Sequence, residues 1–183
     1  MNQAETNHEK QQRLQGRLGP DIAEFRQQCQ TLQLATVDEQ GQPNVSYAPF
    51  IMHNKAYYIL ISKIARHARN LLAQPSVSLM MIEDEAQAKS IFARKRLTFD
   101  ASVKAVERDT PEWQQAIESL TERFGEIVTG LSNLEDFVLF QLTPQQGLFV
   151  KGFGQAFQVS GDDLVDFVHL TEGHKPIAKA EVV

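Results

Sequence analysis

The chain has 183 residues, 42% of them hydrophobic and 22% charged, with a formal net charge of −5 and a pI near 5.5. This length fits one domain with a sizeable core, and the acidic balance argues against non-specific nucleic-acid binding. The single cysteine, Cys29, excludes an intrachain disulfide and a cysteine-based zinc site. A reducing cytoplasm is the expected compartment. No apolar signal segment opens the chain and no apolar run is long enough to span a bilayer, so no membrane association is expected.

In chain order, residues 1–17 are polar and Gln-rich and predict a frayed or solvated helix. Pro20 then predicts a helix start, with Ile22, Phe25 and Cys29 on one side. Two β-patterned runs, 31–37 and 44–51, flank a loop containing Gly41 and predict a hairpin. Residues 56–61 predict a third strand, and Ser62 is a candidate cap for a short helix over 64–72 that ends before Pro75. Residues 76–82 predict a strand, 84–90 a polar connector. Residues 94–106 predict a long strand with Leu97, Phe99, Ala101, Val103 and Ala105 on one face. Thr110-Pro111 is a helix start, followed by Trp113, Ile117, Leu120 and Phe124 at helical spacing. Gly125 and Gly130 interrupt it, and 137–142 and 147–159 predict the last strands. Together these elements predict a mainly β fold, a small β-barrel with peripheral α-helices in a single domain over 1–183.

Four groupings carry candidate chemistry. Ser62, Lys63, Arg66, His67 and Arg69 follow a strand and open a helix. They could cradle a phosphate or a propionate, or form a solvated basic face. Arg94 and Arg96 share a strand face and suit carboxylate or phosphate recognition, or protect a sheet edge by charge. Glu135 and Asp136 are adjacent, so a strand directs them to opposite faces. This argues against a cooperating acid/base pair, and leaves Asp136 to orient a histidine or to serve as a turn carboxylate. Gly152 and Gly154 leave one strand face bare for a flat ligand or a neighbouring backbone, beside Phe149, Phe153 and Phe157. Near the C-terminus His174 lies between Gly173 and Pro176, which argue against a continuing helix. It is either an iron ligand on a terminal segment or a solvated tail histidine.

These pieces together resemble the HutZ-type haem-utilisation proteins, related to the HugZ haem oxygenases. The resemblance rests on Arg13–Leu18, Thr31–Asp38, Pro43–Phe50, Ile64–Leu71, Phe92–Phe99 and Gly147–His174. It implies a split β-barrel of the FMN-binding, pyridoxamine-phosphate-oxidase-like type, assembled as a homodimer with haem near the subunit interface. It also implies His174 as the axial haem-iron ligand, carried by the tail of residues 171–183. Asp136, accepting a hydrogen bond from that imidazole across the interface, and Arg96, a basic residue near the haem, would be the catalytic residues. His67 would be a histidine of the barrel site, with Ser62, Arg66, Arg69 and Arg94 as further binding residues. The function so implied is ring-opening of haem with oxygen and an external electron donor, with haem handed over by a cytoplasmic delivery protein. Two alternatives are a haem carrier or storage protein and an FMN-dependent oxidoreductase. The matching positions show no departure, whereas the segment beyond Pro176 conforms less.

Overall fold

The computed structural model describes residues 3–162 and 165–166. One helix, α1 (Gln3–Gln28), precedes the sheet. Among the described residues nine strands follow: β1 (Thr31–Val37), β2 (Pro43–Pro49), β3 (Ile51–His53), β4 (Ala56–Ser62), β5 (Ser76–Ile82), β6 (Arg96–Val106), β7 (Phe137–Gly152), β8 (Gln155–Ser160) and β9 (Val165–Asp166). Helix α2 (Arg66–Ala73) joins β4 to β5, while α3 (Pro111–Phe124) and α4 (Ile127–Ser132) join β6 to β7. The order is β2-β1-β5-β6-β7-β4-β3, with β8 on β7 and β9 on β8, and every pairing is antiparallel. The sheet curls until β2 approaches β4, which gives the mainly β, split-barrel architecture with peripheral helices.

Strand β7 organises the barrel. Its first part, 137–142, pairs with β4, and its second part, 146–152, pairs with β8. Pro144 sits where the partner changes, opposite a register shift in β6 between Phe99 and Ala101. A proline cannot donate to a sheet ladder, so it fits at such a break. The face alternation of β6 persists across the shift, with Val103 packed against the inner core and Val106, on the other face, in the outer core. Leu97, Phe99 and Ala101 are buried as expected, whereas Ala105, at the end of the same face, is exposed.

Two packed cores flank the sheet. Inside the barrel lie Leu32, Leu34, Tyr57, Ile59, Leu79, Phe99, Phe140 and Phe149. On the outer face, Ile51, Tyr58 and Leu139 meet Trp113, Ala116 and Leu120 of α3 and Val128 of α4. Alternate residues of β4 therefore serve opposite cores, as a period of two requires. The helix α3 starts as the sequence predicts: the Thr110 hydroxyl accepts from the Trp113 amide at 3.3 Å, with Pro111 in the first turn.

Three expectations are corrected. Pro20 does not open α1 but lies inside it, and residues 3–28 form one helix. Leu14 and Leu18 before the proline and Ile22 and Phe25 after it form one buried stripe against the barrel. Packing on both sides thus offsets the lost backbone hydrogen bond. Residues 137–142 and 147–152 are one continuous strand. Gly152 and Gly154 do not bare a strand face, because residues 152–155 make the tight β7–β8 turn, with Gly154 at φ +65°.

Gly147 is a glycine that a close approach does require. A β-carbon there would overlap the Thr98 carbonyl oxygen and come within 2.5 Å of the Phe99 ring. Gly147→Ala is expected to cost about 2 kcal/mol, within the range for overpacking, and to lower the midpoint of urea unfolding. An unchanged midpoint would mean that β6 and β7 spread apart freely.

Candidate functional site

The site gathers around the end of β4, the start of α2 and the turn from α4 into β7. Antiparallel pairing brings Ser62 opposite Phe137, so the residue before Phe137 lands beside Ser62 and Lys63. The Lys63 amide donates to the Asp136 carbonyl at 2.7 Å, and the Ser62 hydroxyl donates to the Asp136 carboxylate oxygen Oδ2. The same hydroxyl accepts from the Ile64 amide at 3.1 Å. Asp136 is half-buried, with one carboxylate oxygen fixed by Ser62.

Helix α2 begins later than expected, at Arg66. Ala65 stands at its cap, with no side-chain capping bond, so Ser62 does not cap the helix but turns toward Asp136. Helix α2 is fastened to the barrel by the buried bond from the Asn70 amide to the Thr36 hydroxyl, 3.0 Å. Its cations are largely engaged. Arg66 pairs with Asp38 at 2.9 Å. The amide of Gln42 holds the Asp38 carboxyl below its usual range, helped by Arg66. The Arg69 guanidinium folds onto the Lys63 and Ile64 carbonyls. Of the expected anion cradle, Ser62, Arg66 and Arg69 each bind protein groups in this structure. His67 is half-buried on α2, and burial lowers its pKa, which leaves the ring mostly neutral at pH 7.

Arg94 and Arg96 also part company. Arg94 precedes β6 instead of lying in it. Its Nε donates to the Glu83 carbonyl at 2.8 Å, and its Nη1 pairs with Glu85 at 3.2 Å. Lys95 reaches Asp21 of α1 at 3.3 Å and lies over the Phe25 ring. Lys151 pairs with the same carboxylate. Burial would raise the Asp21 pKa, but the two lysines outweigh it and hold it low. Arg94 and Lys95 are thus structural ties. Arg96 is half-buried in β6, and among the described residues it makes one weak bond, to the Arg94 carbonyl at 3.4 Å.

Arg96 and Asp136 do not meet within one chain. Arg96 pairs with Val150, near the end of β7, whereas Asp136 precedes its first residue. At about 3.3 Å per residue, the stretch of β7 between them is roughly 46 Å long. His174 lies outside the described residues, as does the amphipathic run beyond Asp166. A cavity of about 580 Å³ lies between Gln11 of α1 and strands β5 to β9, and none of the predicted site residues among the described ones lines it. Among the described residues no cluster of three or more His, Cys, Asp or Glu is placed to hold a metal ion, and no helix is long and apolar enough to cross a membrane. Cys29 is half-buried, and burial raises its thiol pKa, as expected of a passive cysteine.

A curled antiparallel barrel with a long partner-switching strand defines a class, and comparison with known proteins places the chain in it. Residues 18–151 match the pyridoxamine 5'-phosphate oxidase family. The chain is 69% identical over 169 residues to haem oxygenase HutZ of Vibrio cholerae serotype O1, covering 92% of this chain and 96% of that one. The crystal structure of HutZ from Vibrio cholerae, described as a haem storage protein, superposes with a TM-score of 0.72 at 60% identity, over 74% of this chain and 96% of the other. That of Campylobacter jejuni ChuZ gives a TM-score of 0.80 at 30% identity, over 89% and 67%. This chain belongs to the pyridoxamine 5'-phosphate oxidase family, on its HutZ branch.

Sequence reasoning named Ser62 and Asp136 separately but not as a pair, since 74 positions divide them. It also missed Arg108, an isolated arginine before a helix cap with no local signal of its own.

Proposed function

We propose that this protein binds haem between two copies of the chain and degrades it, using oxygen and electrons from an external donor, so that iron is released. The observation that carries this reading is the 69% identity, over 92% of the chain, to a protein named a haem oxygenase. The geometry fits a two-copy site. Asp136 and Arg96 lie at opposite ends of β7, so both ends can face one ligand only if a second copy supplies one of them. The edge strand β2 presents Val45 and Tyr47, 74% and 66% exposed, as an apolar face of the sort that a homodimer covers. The committed partners of Arg66 and Arg69 weaken the case for an FMN phosphate at α2.

Haem, when bound, supplies an iron that activates oxygen beside the porphyrin edge. The chain supplies the rest. His174 would hold the iron through one ring nitrogen and donate its other N–H to the Asp136 carboxylate of the second copy, which would make the imidazole a stronger electron donor. Ser62 keeps Asp136 Oδ2 in place, and Arg96 offers a cation for a propionate or for the oxygen-binding side. Ile64 and Leu134, both exposed on the segments that meet at Asp136, give apolar surface for a porphyrin. Haem would arrive from a delivery protein in the cytoplasm.

A second reading, storage without turnover, is favoured by the description of the crystallised Vibrio cholerae relative. The two separate in one experiment. The haem complex in air with ascorbate is expected to lose its Soret band while ferrous iron appears on a chelator. A Soret band that persists, with no iron released, overturns degradation and leaves storage.

A further inference from the structure

Arg108 stands two residues beyond β6, just before the cap of α3. Its guanidinium reaches across to the turn that carries Asp136. Nη1 donates to the Ser132 carbonyl, and Nη2 donates to the carbonyls of Leu134 at 2.6 Å and Phe137 at 2.9 Å. Its central carbon lies 4.7 Å from the centre of the Trp113 ring, which is itself buried. Only a planar, forked cation can stack on an indole and span several acceptors at once. The Ser132 carbonyl ends α4, where backbone acceptors lack helical partners.

The three carbonyls bracket residues 133–136 on the chain. Asp136 is the last residue inside the bracket, and its opposite side is held by Ser62 and Lys63. The turn is thus gripped from both sides, by the β4 end and by one arginine seated on α3. A solvent-exposed turn of this length, left to itself, would sample several arrangements.

We propose that Arg108 is the positioning residue for Asp136: by gathering the carbonyls of residues 132, 134 and 137, it fixes the direction in which the Asp136 carboxylate is offered to the imidazole of the iron ligand. The inference rests on the reading of Asp136 given above. Arg108 touches neither haem nor oxygen, and it acts through the turn.

The test uses the full chain with Arg108→Gln, Arg108→Lys, Asp136→Asn and the double variant Arg108→Gln/Asp136→Asn. In the haem-free protein, hydrogen exchange of the Lys63 and Phe137 amides is expected to rise about tenfold in Arg108→Gln. In the ferrous haem complex, its iron–histidine stretching frequency is expected to move in the same direction as in Asp136→Asn. Turnover should fall about tenfold, with haem affinity within about threefold of wild type. Adding Arg108→Gln to Asp136→Asn should change turnover less than twofold, because both act through one contact. Arg108→Lys keeps a cation over Trp113 but cannot span three carbonyls, and it should fall between. If Arg108→Gln does not fold, Arg108→Lys carries the same readouts.

Lower thermal stability with an unchanged stretching frequency and turnover would overturn the proposal and leave Arg108 a brace for α3 and α4. So would a loss that multiplies undiminished with that of Asp136→Asn. If Asp136→Asn alone moves neither the frequency nor turnover, the reading of Asp136 has failed, and the role given to Arg108 falls with it.

Discussion

Replacing His174 with alanine is expected to weaken haem binding by about 100-fold, equivalent to about 2.8 kcal/mol, and to abolish turnover. The expectation follows from what the rest of the chain offers. The other histidine proposed for the site, His67, sits on α2, a helix fastened to the barrel by Asn70 and Thr36. In the proposed site the porphyrin would keep apolar contacts and cationic partners such as Arg96 without His174, so binding is expected to weaken but not to vanish. The iron loses its imidazole and with it the carboxylate behind that imidazole. Titration followed by the Soret band gives the affinity. Adding free imidazole should restore the wild-type band position in His174→Ala, since a small ligand can fill the vacated place. A variant with wild-type affinity and spectrum would remove His174 from the site. Because storage and degradation both need the ligand, this variant tests the site and leaves the choice of activity to the ascorbate experiment.

Where the fold was legible, the signals were local. The hairpin of β1 and β2 follows from two alternating runs around Gly41, and α3 from Thr110 and Pro111 at its start. Where it was not, a distant partner overrode the local signal. Pro20 reads as a helix start, yet Leu14, Leu18, Ile22 and Phe25 all find the same barrel wall and carry α1 through it. Pro144 to Gly147 reads as a turn between two strands. In the fold it is where one strand exchanges β4 for β8, and the Gly147 signal is the close approach of Thr98 and Phe99. Period and propensity cannot show such a strand, because its continuity depends on which neighbours arrive.

The same division holds for the site. Residue type alone made Ser62, Arg66 and Arg69 look like an anion cradle. Their partners Asp136, Asp38 and the backbone of residues 63 and 64 are set by sheet register and by helix α2, which composition does not encode. Arg94 looked like a companion of Arg96 through strand alternation, but β6 starts after it, and its guanidinium turns back to residues 83 and 85. Asp136 was singled out as a carboxylate bordering the core. Its setting is more specific than that, a turn fixed by Ser62, Lys63 and Arg108.

That setting makes Asp136→Asn a sharp test of catalysis as distinct from binding. Asparagine has nearly the same shape, and its carbonyl oxygen still accepts from the Ser62 hydroxyl. The turn remains held by the Lys63 amide and the Arg108 fork, so the protein is expected to fold and to bind haem with near wild-type affinity. What changes is charge. A neutral amide polarises the imidazole N–H less than a carboxylate does, so the iron receives less electron density through His174. Turnover with ascorbate in air should fall about 10- to 100-fold, the usual range for loss of such an outer partner, and the iron–histidine stretching frequency of the ferrous complex should decrease. Turnover within twofold of wild type would assign Asp136 to the turn alone. Lost binding together with lost turnover would mean that the carboxylate helps to seat haem, and would place it among the binding groups beside Arg96.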